Sequence, residues 1–148
     1  MPKNLRSQWA FFAALMVAAF FLNWFWEIVQ MPAYAAASRS WSGTALAHVV
    51  PSLGDVAITL GIYGIAALAA GRLDWAATGK WNVYATAALL GGASATAYEW
   101  KALGAGWWSY SERMPVVQVL GVGLWPLLQL TLLVPAALWL AVWWAGRR

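Results

Sequence analysis

Apolar residues dominate four long stretches of the chain, and polar residues collect at their ends. Residues 7–26 contain no charge, and twenty residues suffice to cross the hydrocarbon core of a bilayer. They predict a first helix from Trp9 to about Gln30, ended by Pro32, which cannot continue it. Basic residues ahead of an apolar run are also the pattern of a signal peptide. This run is long, however, and closes on Trp24, Trp26 and Glu27, so a retained membrane helix is expected. Residues 33–50 read as a surface loop, with a short interfacial helix after Ser42 and a solvated or interfacial His48. A second span is expected over 51–70, opened by Pro51 and stopped at Gly71-Arg72. A third covers 81–100 and contains Gly91-Gly92-Ala93-Ser94-Ala95, small enough to let another helix approach closely. From Met114 to Gly146 there are 33 residues without a charge. Two spans and a turn need about 40 residues, so one long helix over about 115–145 is expected, bent at Pro126 and Pro135.

The expected fold class is therefore all-α: a single polytopic membrane domain of four transmembrane helices in an antiparallel bundle. Composition agrees, with 63% hydrophobic and 9% charged residues, against about 25% charged in soluble domains. Lys3, Arg6, Arg72, Lys80, Arg147 and Arg148 fall on one side of this arrangement, and Arg39, Lys101 and Arg113 on the other. By the positive-inside rule both termini are cytoplasmic, in a bacterial inner membrane. The basic residues lie at helix ends, so the net charge of +4 reads as topology, not as a nucleic-acid surface. The thirteen tryptophans suit interfacial belts, with Trp107, Trp108 and Tyr110 at one boundary.

Within this topology Asn23, Glu27 and Gln30 share one face late in the first helix. Asp55 lies early in the second helix and Glu99 late in the third, so these three acids fall at one level beneath the non-cytoplasmic face. Buried carboxylates are costly, and in a membrane they mark functional sites by default. Glu27, Asp55 and Glu99 are therefore the candidate catalytic residues. Asn23, Trp24, Gln30, Tyr98, Trp108, Tyr110, Arg113 and Gln129 are the candidate substrate-binding residues. Gln118 is expected about one turn into the last helix, and Gln129 near mid-membrane. Like charges brought this close cannot all ionise, and a neutral acid beside an ionised one is an acid–base pair. The alternative is that the acids are helix-end residues facing water and headgroups, and that Gln129 serves a carbonyl freed by Pro126.

Trp26-Glu27, Gly54-Asp55, Trp108-Ser109-Tyr110 and Pro126…Gln129 resemble motifs of integral-membrane lycopene-cyclase-domain proteins and fungal meroterpenoid cyclases. The resemblance covers about a third of the chain. It implies membrane-embedded carboxylic acids that protonate an alkene or epoxide, with aromatic faces steadying the carbocation. The chain departs where the lycopene-cyclase pattern has paired glutamates: Leu127, Leu128 and Gln129 stand there. In general layout the chain is also similar to small four-helix bacterial membrane proteins.

With no cysteine and a single histidine, no thiol nucleophile, disulfide or histidine-built metal centre is expected, and no cofactor. Three functions compete. One is a membrane enzyme acting on a lipophilic, isoprenoid-like substrate. Another is an oligomeric proton-coupled transporter. The last is a structural subunit of a larger membrane complex, docked through Gly91–Ala95. The expected partners are the bilayer and a lipophilic small molecule, a homo-oligomer or a larger complex, and no nucleic acid.

Overall fold

A computed structural model of the chain describes residues 5–35, 41–78 and 80–146. Lys3, Arg39, Arg147 and Arg148, which enter the charge asymmetry, lie outside the described residues. Helix α1 spans Leu5–Gln30 and runs into a 3-10 turn, Met31–Ala33, built on Pro32. The short α2, Trp41–Ala47, leads through His48 into α3, Val49–Ala70. Helix α4 covers Trp81–Gly104, and α5 covers Leu124–Gly146.

Successive long helices run antiparallel. Phe11, near the start of α1, packs on Tyr63, late in α3, with ring centroids 5.4 Å apart, while Glu27 and Asp55 meet at the opposite end. Three segments are long and apolar enough to cross a membrane, Gln8–Ala33, Ala45–Ala70 and Leu124–Gly146, consistent with a membrane protein. Helix α4 matches them in length, but its glycines and hydroxyl residues make it less apolar. The outer surface fits the same reading. Val17, Phe21, Phe25 and Val29 form an exposed stripe at four-residue spacing along α1, whereas Asn23 and Gln30 are buried on the inner face. Apolar residues outside and amides inside invert the pattern of a water-soluble helix.

Two seams are tight. At Gly91 an added Cβ would lie 2.2 Å from the carbonyl oxygen of Leu130, so the backbones of α4 and α5 touch. The small-residue stripe is therefore occupied by α5 of the same chain. Between α1 and α3 the half of the bundle remote from Glu27 is filled by Phe11, Leu15, Ala19, Ile62, Tyr63 and Ala66. Trp75 closes that end, with its Nε1 donating to the Tyr63 carbonyl at 3.2 Å, and the Tyr63 hydroxyl donates to the Leu73 carbonyl. Helix α3 stops at Gly71, in the left-handed conformation with φ 64°. Contact between α3 and α4 is the sparsest of the long-helix seams.

The last helix differs from the expectation. Residues 115–123 are not helical: Val116–Val117 (β1) pairs antiparallel with Val122–Gly123 (β2) in a small hairpin. Gly121, at φ 66°, makes the turn. Two β-branched residues behind Pro115, followed by a left-handed glycine, favour extended chain over helix. Gln118 consequently lies exposed in the hairpin turn rather than on a helix. Pro126 falls in the first turn of α5, where its missing N–H costs nothing, and only Pro135 lies in the helix interior. Gln129 is five residues from the helix start, about 7.5 Å along its axis. It stands level with the acids, not at mid-helix.

Candidate functional site

Each acid arrives from its own helix. Glu27 lies in the last turn of α1, Asp55 in the second turn of α3 and Glu99 in the last two turns of α4. Antiparallel packing puts all three at one end of the bundle, where they line a single cavity of about 680 Å³. That volume is in the range of pockets for drug-sized ligands. Pro51, Ile58, Ala95 and Leu130 are among its apolar lining.

Gln129 joins the helices. Its Nε2 lies 3.0 Å from Asn23 Oδ1, 3.1 Å from Glu27 Oε1 and 2.9 Å from Asp55 Oδ2. Its Oε1 accepts from Gln30 Nε2 at 2.8 Å. The two carboxyl oxygens are thus no further apart than twice a hydrogen-bond length. An amide nitrogen has two hydrogens, so three facing oxygens outnumber them. The freed-carbonyl role for Gln129 does not apply, because its amide is committed to α1 and α3. Asn23 also donates, from Nδ2 to the Ala19 carbonyl at 2.8 Å. Among the described residues no lysine or arginine pairs with Glu27 or Asp55.

His48 belongs to this group. It sits at the junction of α2 and α3 and lines the cavity, with Nδ1 3.2 Å from Glu27 Oε2. That is ion-pair distance, off the line of a hydrogen bond. Its backbone carbonyl accepts from Ser52 Oγ at 2.7 Å, which holds the junction. His48 is thus half-buried against Glu27 at the cavity rather than free in solvent.

Glu99 has a different environment. Its carboxyl is buried and accepts from the Tyr110 hydroxyl, from Tyr34 Oη at 3.4 Å and from Trp108 Nε1 at 3.4 Å. Burial, and after it the neighbouring Glu99, pushes both tyrosine hydroxyls above the ordinary phenol range, so they stay protonated as donors. Tyr110 also accepts the Gly123 N–H at 2.8 Å, which ties the hairpin to the site. Tyr34 and Tyr110 form an isolated antiparallel bridge. Three donors around one carboxyl hold it in a fixed orientation.

Of the eleven residues expected at the site, Glu27, Asp55, Glu99, Gln30, Tyr98, Trp108 and Gln129 line the cavity. Asn23 stands behind them through its bond to Gln129. Tyr110 acts on Glu99 from outside the lining. Trp24 and Arg113 are elsewhere: Trp24 Nε1 donates to the Ala45 carbonyl at 2.9 Å and fastens α2 to α1, and Arg113 is exposed beside the hairpin. His48 and Tyr34 are the polar lining residues that the sequence did not single out as functional. Both sit in irregular chain, where periodicity gives no signal. Among the described residues no three histidine, aspartate or glutamate side chains are placed to hold a metal ion.

Comparison with protein-family models, with curated proteins and with solved structures gives no match. The class of protein therefore rests on fold and site: an all-α bundle with membrane-length helices, closed at one end around a carboxyl-lined cavity.

Proposed function

We propose that the protein is an integral membrane enzyme that performs acid–base chemistry, of the isomerase or cyclase type, on a lipophilic substrate. In this reading α4 is a fourth span, the termini are cytoplasmic and the cavity lies in the outer half of the membrane. One observation carries the proposal: Glu27 and Asp55, from different helices, share one amide nitrogen inside a largely apolar cavity, with no basic partner but His48 among the described residues.

In this reading the pair works with one member neutral and the other ionised. A pair with one neutral and one ionised member can deliver a proton and take one back. The neutral acid protonates an alkene or epoxide, its O–H bond breaking as the new bond to hydrogen forms. The cation loses a proton from a neighbouring carbon to the ionised partner, and a new double bond forms. Proton transfer within the pair, with His48 against Glu27, restores the starting state. The net change is isomerisation or ring closure without a co-reactant. Glu99, locked by its three donors, steadies the positive charge together with the faces of Tyr98 and Trp108. The sparse seam between α3 and α4, flanked by the exposed Leu53 and Tyr98, gives the substrate a lateral way in from lipid. The motif resemblance to membrane cyclases supports the same chemistry.

A proton-coupled carrier needs a polar path to the other side, and the tightly packed apolar half around Leu15, Ala19 and Ala66 offers none. The test starts with lipid extraction and mass spectrometry of the purified protein, followed by turnover of whatever apolar compound co-purifies. Glu27→Gln and Asp55→Asn should remain folded and lose turnover. Full activity in Glu27→Gln would remove the reading.

A further inference from the structure

We infer that the ligand of this cavity presents a hydrogen-bond donor, an O–H or N–H at the end of an apolar body, to Oε1 of Gln30. The inference rests on the cavity being a ligand site, as proposed above.

Gln30 is 4% exposed and lines the cavity, and its Oε1 is buried with no hydrogen-bond partner. The orientation of its amide is set by its neighbour. Gln129 Nε2 faces three oxygens, so Gln129 Oε1 must face Gln30, and only the nitrogen of Gln30 can meet it. The orphan is therefore an acceptor. A buried acceptor left without a donor is unfavourable; Tyr34 and Trp108 are committed to Glu99, the two hydrogens of Gln129 to facing oxygens, and His48 Nδ1 stands against Glu27. The polar end of the cavity is short of a hydrogen at Gln30 Oε1. A ligand hydroxyl or amine supplies it. An ether or a hydrocarbon leaves Gln30 unsatisfied, and a carboxylate or phosphate adds like charge beside Glu27 and Asp55.

The test is calorimetric titration of the full chain in detergent with four probes on one isoprenoid chain: farnesol, farnesylamine, farnesyl methyl ether and farnesoic acid. The alcohol or the amine should bind about tenfold tighter than the ether. A lead for the alcohol indicates a neutral polar end, and a lead for the amine a cationic one. In Gln30→Met the lead should shrink to about twofold with ether affinity unchanged. Gln30→Glu, which keeps an acceptor, should preserve it. Equal binding of alcohol and ether, tightest binding of the acid, or an undiminished lead in a folded Gln30→Met would overturn the inference. If turnover still depends on Glu27 in that case, the acid–base reading stands without it. If none of the four probes binds, the inference falls together with the ligand cavity.

Discussion

Replacing Gln129 with leucine tests the joint that holds the polar end of the bundle together. The side chains are similar in size, so the change removes hydrogen bonds with little change in volume. Gln129 takes part in four short contacts, but its two hydrogens and one used oxygen sustain three at a time. Interhelical hydrogen bonds in membranes average about 0.6 kcal/mol, which gives about 2 kcal/mol for three. The orphaned groups give a second route to the magnitude. Glu27, Asp55 and Gln30 line the cavity and can be rehydrated, but Asn23, at 1% exposure, cannot. One buried polar group left unpaired costs about 1–3 kcal/mol. Both routes centre on about 2 kcal/mol. Reversible unfolding in mixed micelles, followed by tryptophan fluorescence, measures it. A loss below about 1 kcal/mol in Gln129→Leu would refute the hub, because the remaining groups would then have found partners without it.

Other outcomes follow from the same contacts. Gly91→Ala puts a Cβ against backbone and should cost about 1–3 kcal/mol, whereas Gly92→Ala meets the Thr131 Oγ1, a side-chain atom, at 2.9 Å and should cost less; thermal melts rank the two. Gly54 borders the cavity with open space where a side chain would go, so Gly54→Leu should weaken ligand binding while the melting temperature holds. Trp24→Phe removes the tie to Ala45 and should raise proteolysis at α2, measured by limited digestion, at a cost of about 1 kcal/mol. The phenols of Tyr34 and Tyr110 titrate above their unfolded value, so their contribution to stability is fully present below about pH 10 and is lost as pH rises further. Denaturant midpoints between pH 8 and 11 should show that fall, and Tyr34→Phe with Tyr110→Phe should flatten it.

Much of this architecture was legible along the chain. Uncharged runs of membrane length specify helices because hydrocarbon leaves the backbone no other way to satisfy itself. With strict alternation of direction, residue number alone then assigns Glu27, Asp55 and Glu99 to one end. The hairpin at 115–123 escaped because hydropathy does not separate an apolar strand from an apolar helix, and only Pro115, two valines and Gly121 mark the difference. What surrounds each of the three acids was decided by tertiary contacts. Glu99 accepts from Tyr34, Trp108 and Tyr110, and all three come from irregular segments that pair across the end of the bundle. Glu27 and Asp55 share Gln129 with each other and, through Glu27, gain His48. Composition and period determine which helices form and how they are oriented. The number of donors around each buried carboxyl depends on which loops fold over it, and no local pattern in the chain encodes that count.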